Sequence, residues 1–141
     1  MNDSPSAASS DPAIPAEAIL SQLPDAVVCS DTAGTIRLWN AAAEKLFGFS
    51  AAETLGQNLD IMIPERFRRA HWNGFERAVQ TGRVAHEGEV RLTRATHKDG
   101  RRLYVDITFG LVKGTDGSVI GVVSTARLAE PPQRPAPAAT P

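Results

Sequence analysis

The sequence predicts an α+β domain: one antiparallel sheet with its helices gathered on one face. Three observations predict it. A hairpin pattern opens the foldable part of the chain, a long amphipathic helical stretch lies in the middle, and a three-strand meander closes it. With 141 residues there is room for one domain, expected over residues 15–129. Residues 1–14 and the Pro/Ala-rich residues 130–141 offer little to bury and are expected to be disordered.

The hairpin and the helices come first. Residues 15–23 (PAEAILSQL) form a short helix with Ile19, Leu20 and Leu23 on one side. DAVVCSD reads as a strand, Thr32-Ala33-Gly34 as a turn and TIRLW as the returning strand. Asn40 caps the helix AAAEKLFG, with Glu44 near its positive end and Gly48 as its stop. Ser50 to Glu53 is a capping box for a one-turn helix closed by Gly56. Pro64 opens the longest helix, ERFRRAHWNGFERAVQTG, and Gly82 ends it. Three strands complete the domain, EGEVRLTRATH, RRLYVDITFGLVK and SVIGVVSTARL, joined by turns at Lys98-Asp99-Gly100 and at residues 114–117.

Composition excludes several functions. A formal net charge of −1 gives a nucleic-acid partner no electrostatic support. The single cysteine, Cys29, excludes an internal disulfide and a multi-cysteine metal site, and in a strand it reads as a small buried hydrophobe. No apolar run approaches the roughly 18 residues of a membrane helix. The start MNDSPSAASSDP lacks the basic-then-apolar order of a secretory signal, so a cytoplasmic location without a membrane is expected. No Ser/His/Asp set, carboxylate pair or phosphate loop is visible, and the chain is not expected to be an enzyme.

The long helix carries the candidate site. Phe67, His71, Gly74, Phe75 and Ala78 share one face, while Arg66, Arg69, Asn73, Glu76, Arg77 and Gln80 populate the rest. His71 is therefore on the inward stripe. Gly74 in mid-helix costs roughly 1 kcal/mol relative to Ala. It leaves space beside the helix for a flat ligand, or for close packing on a neighbour. Periodicity alone leaves two readings of His71 open: a core histidine bonded to backbone, or a haem ligand.

The runs LPDAVVCSDTAGTIRLWNAAAEKLFGFSAAETLGQ and HKDGRRLYVDITFGLVKGTDGSVIGVV resemble the PAS family, and the resemblance covers about residues 17–128. It implies a five-stranded antiparallel sheet cradling a small pocket against its helices. Family members sense small ligands, redox state or light, and often dimerise. Light-sensing relatives carry a reactive cysteine where this chain has LGQNLDIMIP, so flavin photosensing is not expected. The stretch IMIPERFRRAH is similar to the segment of haem-PAS oxygen sensors that ends in their proximal histidine. That resemblance implies haem b with His71 as its metal ligand. It also implies that Arg91, twenty positions further on, faces a bound diatomic gas. Ile61, Ile63, Phe67, Gly74, Phe75, Val105, Ile107, Phe109 and Val122 are then expected to surround the cofactor.

Strand alternation leaves Arg91 open, because Val90 and Leu92 as the inward pair would turn it outward. Glu89 offers no soft sixth ligand for ferrous iron. His86 is expected to be solvated and His97, beside a hairpin turn, exposed. Trp39 and Trp72 are expected to serve packing or an interface. Arg66, Arg68, Arg69 and Arg77 read as a solvated helix face, with contact to haem propionates or an acidic partner as the alternative. Arg127 is followed by Leu128 rather than the Asp frequent in effector-linked PAS domains. The expected function is a stand-alone sensor that binds haem b and signals through a homodimer or a separate signalling protein. The alternative is a non-haem interaction and dimerisation module with a small or empty pocket.

Overall fold

In the computed structural model, which describes residues 12–132 and 139–141, β1 (Ala26–Asp31) and β2 (Ile36–Trp39) form the expected hairpin. Asp31 closes its turn: its carboxylate accepts from the Ala33 and Thr35 N–H groups and pairs with Arg37 at 3.0 Å. The meander comprises β3 (Arg91–Thr96), β4 (Arg102–Lys113) and β5 (Val119–Leu128). All pairings are antiparallel, in the order β2-β1-β5-β4-β3, so the first strand docks against the last and β3 is an edge.

Helices α1 (Ala16–Gln22), α2 (Ala41–Phe47), α3 (Ala51–Thr54) and α4 (Glu65–Thr81) bracket a 3₁₀ turn over Leu59–Met62. The Asn40 cap and the Ser50–Glu53 capping box are both made. Gly48 ends α2 at φ +83, where a side chain would be strained and would also strike the His97 ring. The core lies between the helices and one sheet face, with Ile36, Phe47, Phe75 and Val105 at its centre.

Two expectations change. The first strand of the meander was expected from residue 87, but the chain turns through Gly88 at φ +78 and pairing begins at Arg91. Ala139 is 7% exposed and belongs to the core cluster, and Pro141 is buried as well, so two residues of the Pro/Ala tail have found something to bury. The expected disorder of residues 1–14 and 130–141 falls in part on residues 1–11 and 133–138, which lie outside the described residues.

Candidate functional site

A cavity of about 60 Å³ lies between α4, the 3₁₀ turn and the sheet. Ile63, Phe67, His71, Phe75, Val105, Ile107, Phe109 and Val122 are among the residues that line it. Ile61 packs against the core without reaching the cavity, and Arg91 is not in its wall. Gly74 is not in it either: it lines a neighbouring groove, and the space beside it is filled by the Thr140 side chain rather than left for a flat ligand.

His71 is 8% exposed and stacked among rings, with Trp72 at 4.7 Å edge-on and Phe75 at 5.8 Å. Desolvation lowers its pKa to about 4, against a smaller opposing pull from Asp60, so the imidazole is neutral at pH 7. Its Nδ1 is buried without a hydrogen-bond partner among the described residues. The reading of a core histidine bonded to backbone therefore fails at this atom. An orphaned polar atom of this kind costs about 1–3 kcal/mol.

Alternation in β3 is settled by register. Thr93 and Ala95 are buried, line the cavity and oppose Val105 and Leu103. Arg91 shares their parity and opposes Ile107, itself a cavity residue, so it belongs to the inward row. Val90 is 64% exposed and is not an inward residue.

Sequence reasoning missed Arg94. It sits on the outward row opposite Tyr104, but at a sheet edge a long side chain can curl back over the helix side. Its guanidinium lies 5.5 Å from the Phe67 ring centroid, Arg66 stands 4.9 Å from the same ring, and Arg94 lines the cavity. Its Nε is buried without a partner among the described residues. Burial, then the charges of Arg102 and Arg66, push its pKa down. Thr93, Met62, Leu59 and Ala95 also line the cavity unforeseen, and alternation counted from Thr93 would have found two of them.

Other candidates fall away. His97 is not exposed as expected: its side chain is 14% accessible, lies against Gly48 and pairs with Asp99 at 3.0 Å. His86 lies 3.6 Å from Glu89, with 43% of its side chain accessible. Trp39 is core and donates to the Phe49 carbonyl, and Trp72 donates to Asp60. Arg68 donates to the Ile63 and Asp60 carbonyls while its side chain stays 43% accessible. Cys29 is half-buried, and burial raises its thiol pKa. Among the described residues no group of three His, Cys, Asp or Glu side chains could hold a bare metal ion, and no helix is long and apolar enough to cross a membrane.

The donor set suits one iron-bearing ring rather than a bare ion: a single neutral imidazole in an apolar wall, with cations at the edge. The free space of about 60 Å³ is smaller than that class of ligand needs, and Ala139 and Pro141 are part of the cavity wall.

The family model described as "PAS fold" matches residues 16–128. The sensor protein FixL of Bradyrhizobium diazoefficiens is 35% identical over 92 residues, which are 65% of this chain and 18% of that protein. The oxygen sensor protein DosP of Escherichia coli is 33% identical over 69 residues, 49% of this chain and 9% of that protein. This chain thus spans less than a fifth of either relative. The crystal structure of a PAS domain from Colwellia psychrerythraea is similar in fold, with TM-score 0.69 at 22% identity over 78% of this chain and 90% of that one.

Proposed function

The chain belongs to the PAS family, and we propose that this sensor domain binds haem b through His71, reads a diatomic gas or a redox change there, and signals through a homodimer or a separate protein. The observation that carries the reading is the neutral, buried His71 imidazole with an unpartnered Nδ1 in an apolar cavity. A ligating imidazole must be unprotonated, and burial already holds His71 so. Bound haem would supply an iron able to take up a gas and to change oxidation state. The chain's residues do the rest. His71 supplies the lone pair. Phe67, Phe75, Ile107 and Phe109 exclude water. Arg94 in the cavity wall and Arg66 beside Phe67 would offer cations to acidic groups of the ligand. Arg91, on the inward row though outside the present cavity wall, would be the donor for a gas. The relatives support the reading through what they are named for: a sensor protein and an oxygen sensor protein.

Absorption spectra during haem titration test it. The parent protein is expected to develop a sharp band near the blue edge of the visible, and His71→Ala to lose it. Arg91→Ala should keep the band and lose oxygen affinity about tenfold to hundredfold, with carbon monoxide affinity little changed. Oxygen draws negative charge and gains a charge-assisted bond of roughly 1.5–3 kcal/mol, whereas carbon monoxide does not. Unchanged haem content in His71→Ala would move the ligand elsewhere. Equal losses for both gases would remove Arg91 from the gas site.

A second reading, a non-haem interaction module, is favoured by the cavity's size, since about 60 Å³ admits waters or a very small molecule. No haem band in the parent protein selects it. Both readings include a homodimer acting in the cytoplasm. The dimer is proposed through α1, where Ile19 is half exposed, or through the sheet's outer face. Light scattering over a wide concentration range should show twice the chain mass; a monomer throughout would refute it.

A further inference from the structure

The segment that fills the cavity wall is part of the same chain. The Ala139 N–H donates to the Thr93 hydroxyl at 3.0 Å, from the inward row of β3. Ala139 and Pro141 are buried and line the cavity beside His71 and Phe75. Thr140 lies against α4 at Gly74, where a Cβ would come within 2.5 Å of the Thr140 Cβ and 2.8 Å of its Oγ1. The mid-helix glycine therefore has a tenant, and the tenant is the tail. The residues suit the place. Ala and Pro are small and apolar, and the fixed φ of Pro141 leaves it little backbone entropy to lose on docking.

Pockets that enclose a ligand of drug size or more measure roughly 300–1,000 Å³. With the tail in place the cavity is about 60 Å³. A large ligand and the docked tail exclude each other. We propose that residues 139–141 are a tethered plug of the sensor cavity: the tail competes with the incoming ligand, and its release on ligand binding is an output of the domain. The inference rests on the haem reading for the identity of the competitor, but docking of the tail does not.

Thermodynamic linkage sets the size of the effect. If the tail is docked in about nine molecules of ten, the apparent haem affinity is reduced about tenfold, and haem must in turn drive the tail out. The test uses the full chain and two variants. Ala139→Arg puts a long cation into a mostly apolar wall that already holds Arg94, and undocks the tail. Gly74→Ala fills the Thr140 site and raises helix propensity, so a loosened tail cannot be blamed on a weakened helix. Amide exchange is measured over the last residues without haem, and haem binding is titrated by absorbance. The expected result is a protected Ala139 amide in the parent, an unprotected position 139 in both variants, and about tenfold tighter haem binding in Ala139→Arg. Haem should also release the Ala139 amide in the parent.

Exchange of the parent's tail at the unstructured rate would overturn the plug outright. A protected tail with equal haem affinity in parent and Ala139→Arg would overturn the competition. No haem uptake by either protein would refute the haem reading, and with it haem as competitor, while the exchange data still decide whether the tail is docked.

Discussion

Asn40 and His71 are buried to nearly the same degree, at 5% and 8% exposure, and their surroundings are opposites. Asn40 joins α1, β1 and α2 with every amide atom in use. Its Oδ1 accepts from the Val27 N–H at 2.9 Å and the Ala43 N–H at 3.0 Å. Its Nδ2 donates to the Leu20 carbonyl at 2.8 Å and the Asp25 carbonyl at 3.1 Å. His71, on α4, has an Nδ1 with no partner among the described residues, and Arg94, which lines the same cavity from β3, has an Nε in the same state. The hairpin end is a satisfied polar network, which makes it rigid and specific. The cavity end carries unpaired groups whose cost is returned only by a partner from outside the described residues. A domain built to hold its shape at one end and to receive something at the other has this distribution.

The largest effect should come from breaking the satisfied end. Asn40→Ala removes the α2 cap, worth about 1 kcal/mol. It also strands the buried Val27 N–H, which costs a further 1–3 kcal/mol or so. A loss of about 3 kcal/mol is expected in urea unfolding at pH 7. A loss under about 1 kcal/mol would mean that water replaces the amide, and the contrast between the two ends would lose its first half.

Legibility in the sequence divides along the same line. Caps and turns are signalled within a few positions, so the Asn40 cap, the capping box and the Gly48 and Gly82 stops could be read directly. The longer reach of Asn40, to Leu20 and Val27, could not, because nothing local encodes which carbonyl a folded chain will bring near. The cavity shows the same limit. The helical period placed His71, Phe67 and Phe75 correctly. Arg94 was missed because alternation puts it on the outer row, and only its edge position lets it return to Phe67. His97 was expected exposed from its neighbouring turn, yet a contact with Gly48, far away in sequence, covers it. Ala139 and Pro141 sit in a stretch whose composition gave no reason to expect burial.

A smaller effect sharpens the other side of the comparison. The His71 pKa falls from 6.5 to about 4 on folding, with desolvation as the leading cause. Between those values the unfolded chain binds a proton that the folded protein does not, so stability rises with pH across the window and is lost as pH falls from about 6.5 to about 4. The integrated loss is about 3 kcal/mol, at 1.36 kcal/mol per unit. It then levels off, since below about 4 both states are protonated. Carboxylates work in the same direction but lower down. Asp31, Glu53, Asp99 and Asp116 are held below the usual carboxylate range by hydrogen bonds, led respectively by the Thr35 N–H, Lys98, the Arg101 N–H and Ser118. Their protonation costs stability mainly below about pH 4.5. His71→Leu separates the two contributions. The variant has no group titrating at this site, and it replaces an atom lacking a partner with apolar surface in an apolar wall. At pH 7 it should unfold at the same urea concentration as the parent or a higher one. Between pH 6.5 and 4.5 its stability should stay nearly flat while the parent's declines. Parallel curves for the two proteins across that window would show that His71 has found a proton-stabilising partner in solution, and the imidazole would no longer be the unpaired counterpart of Asn40.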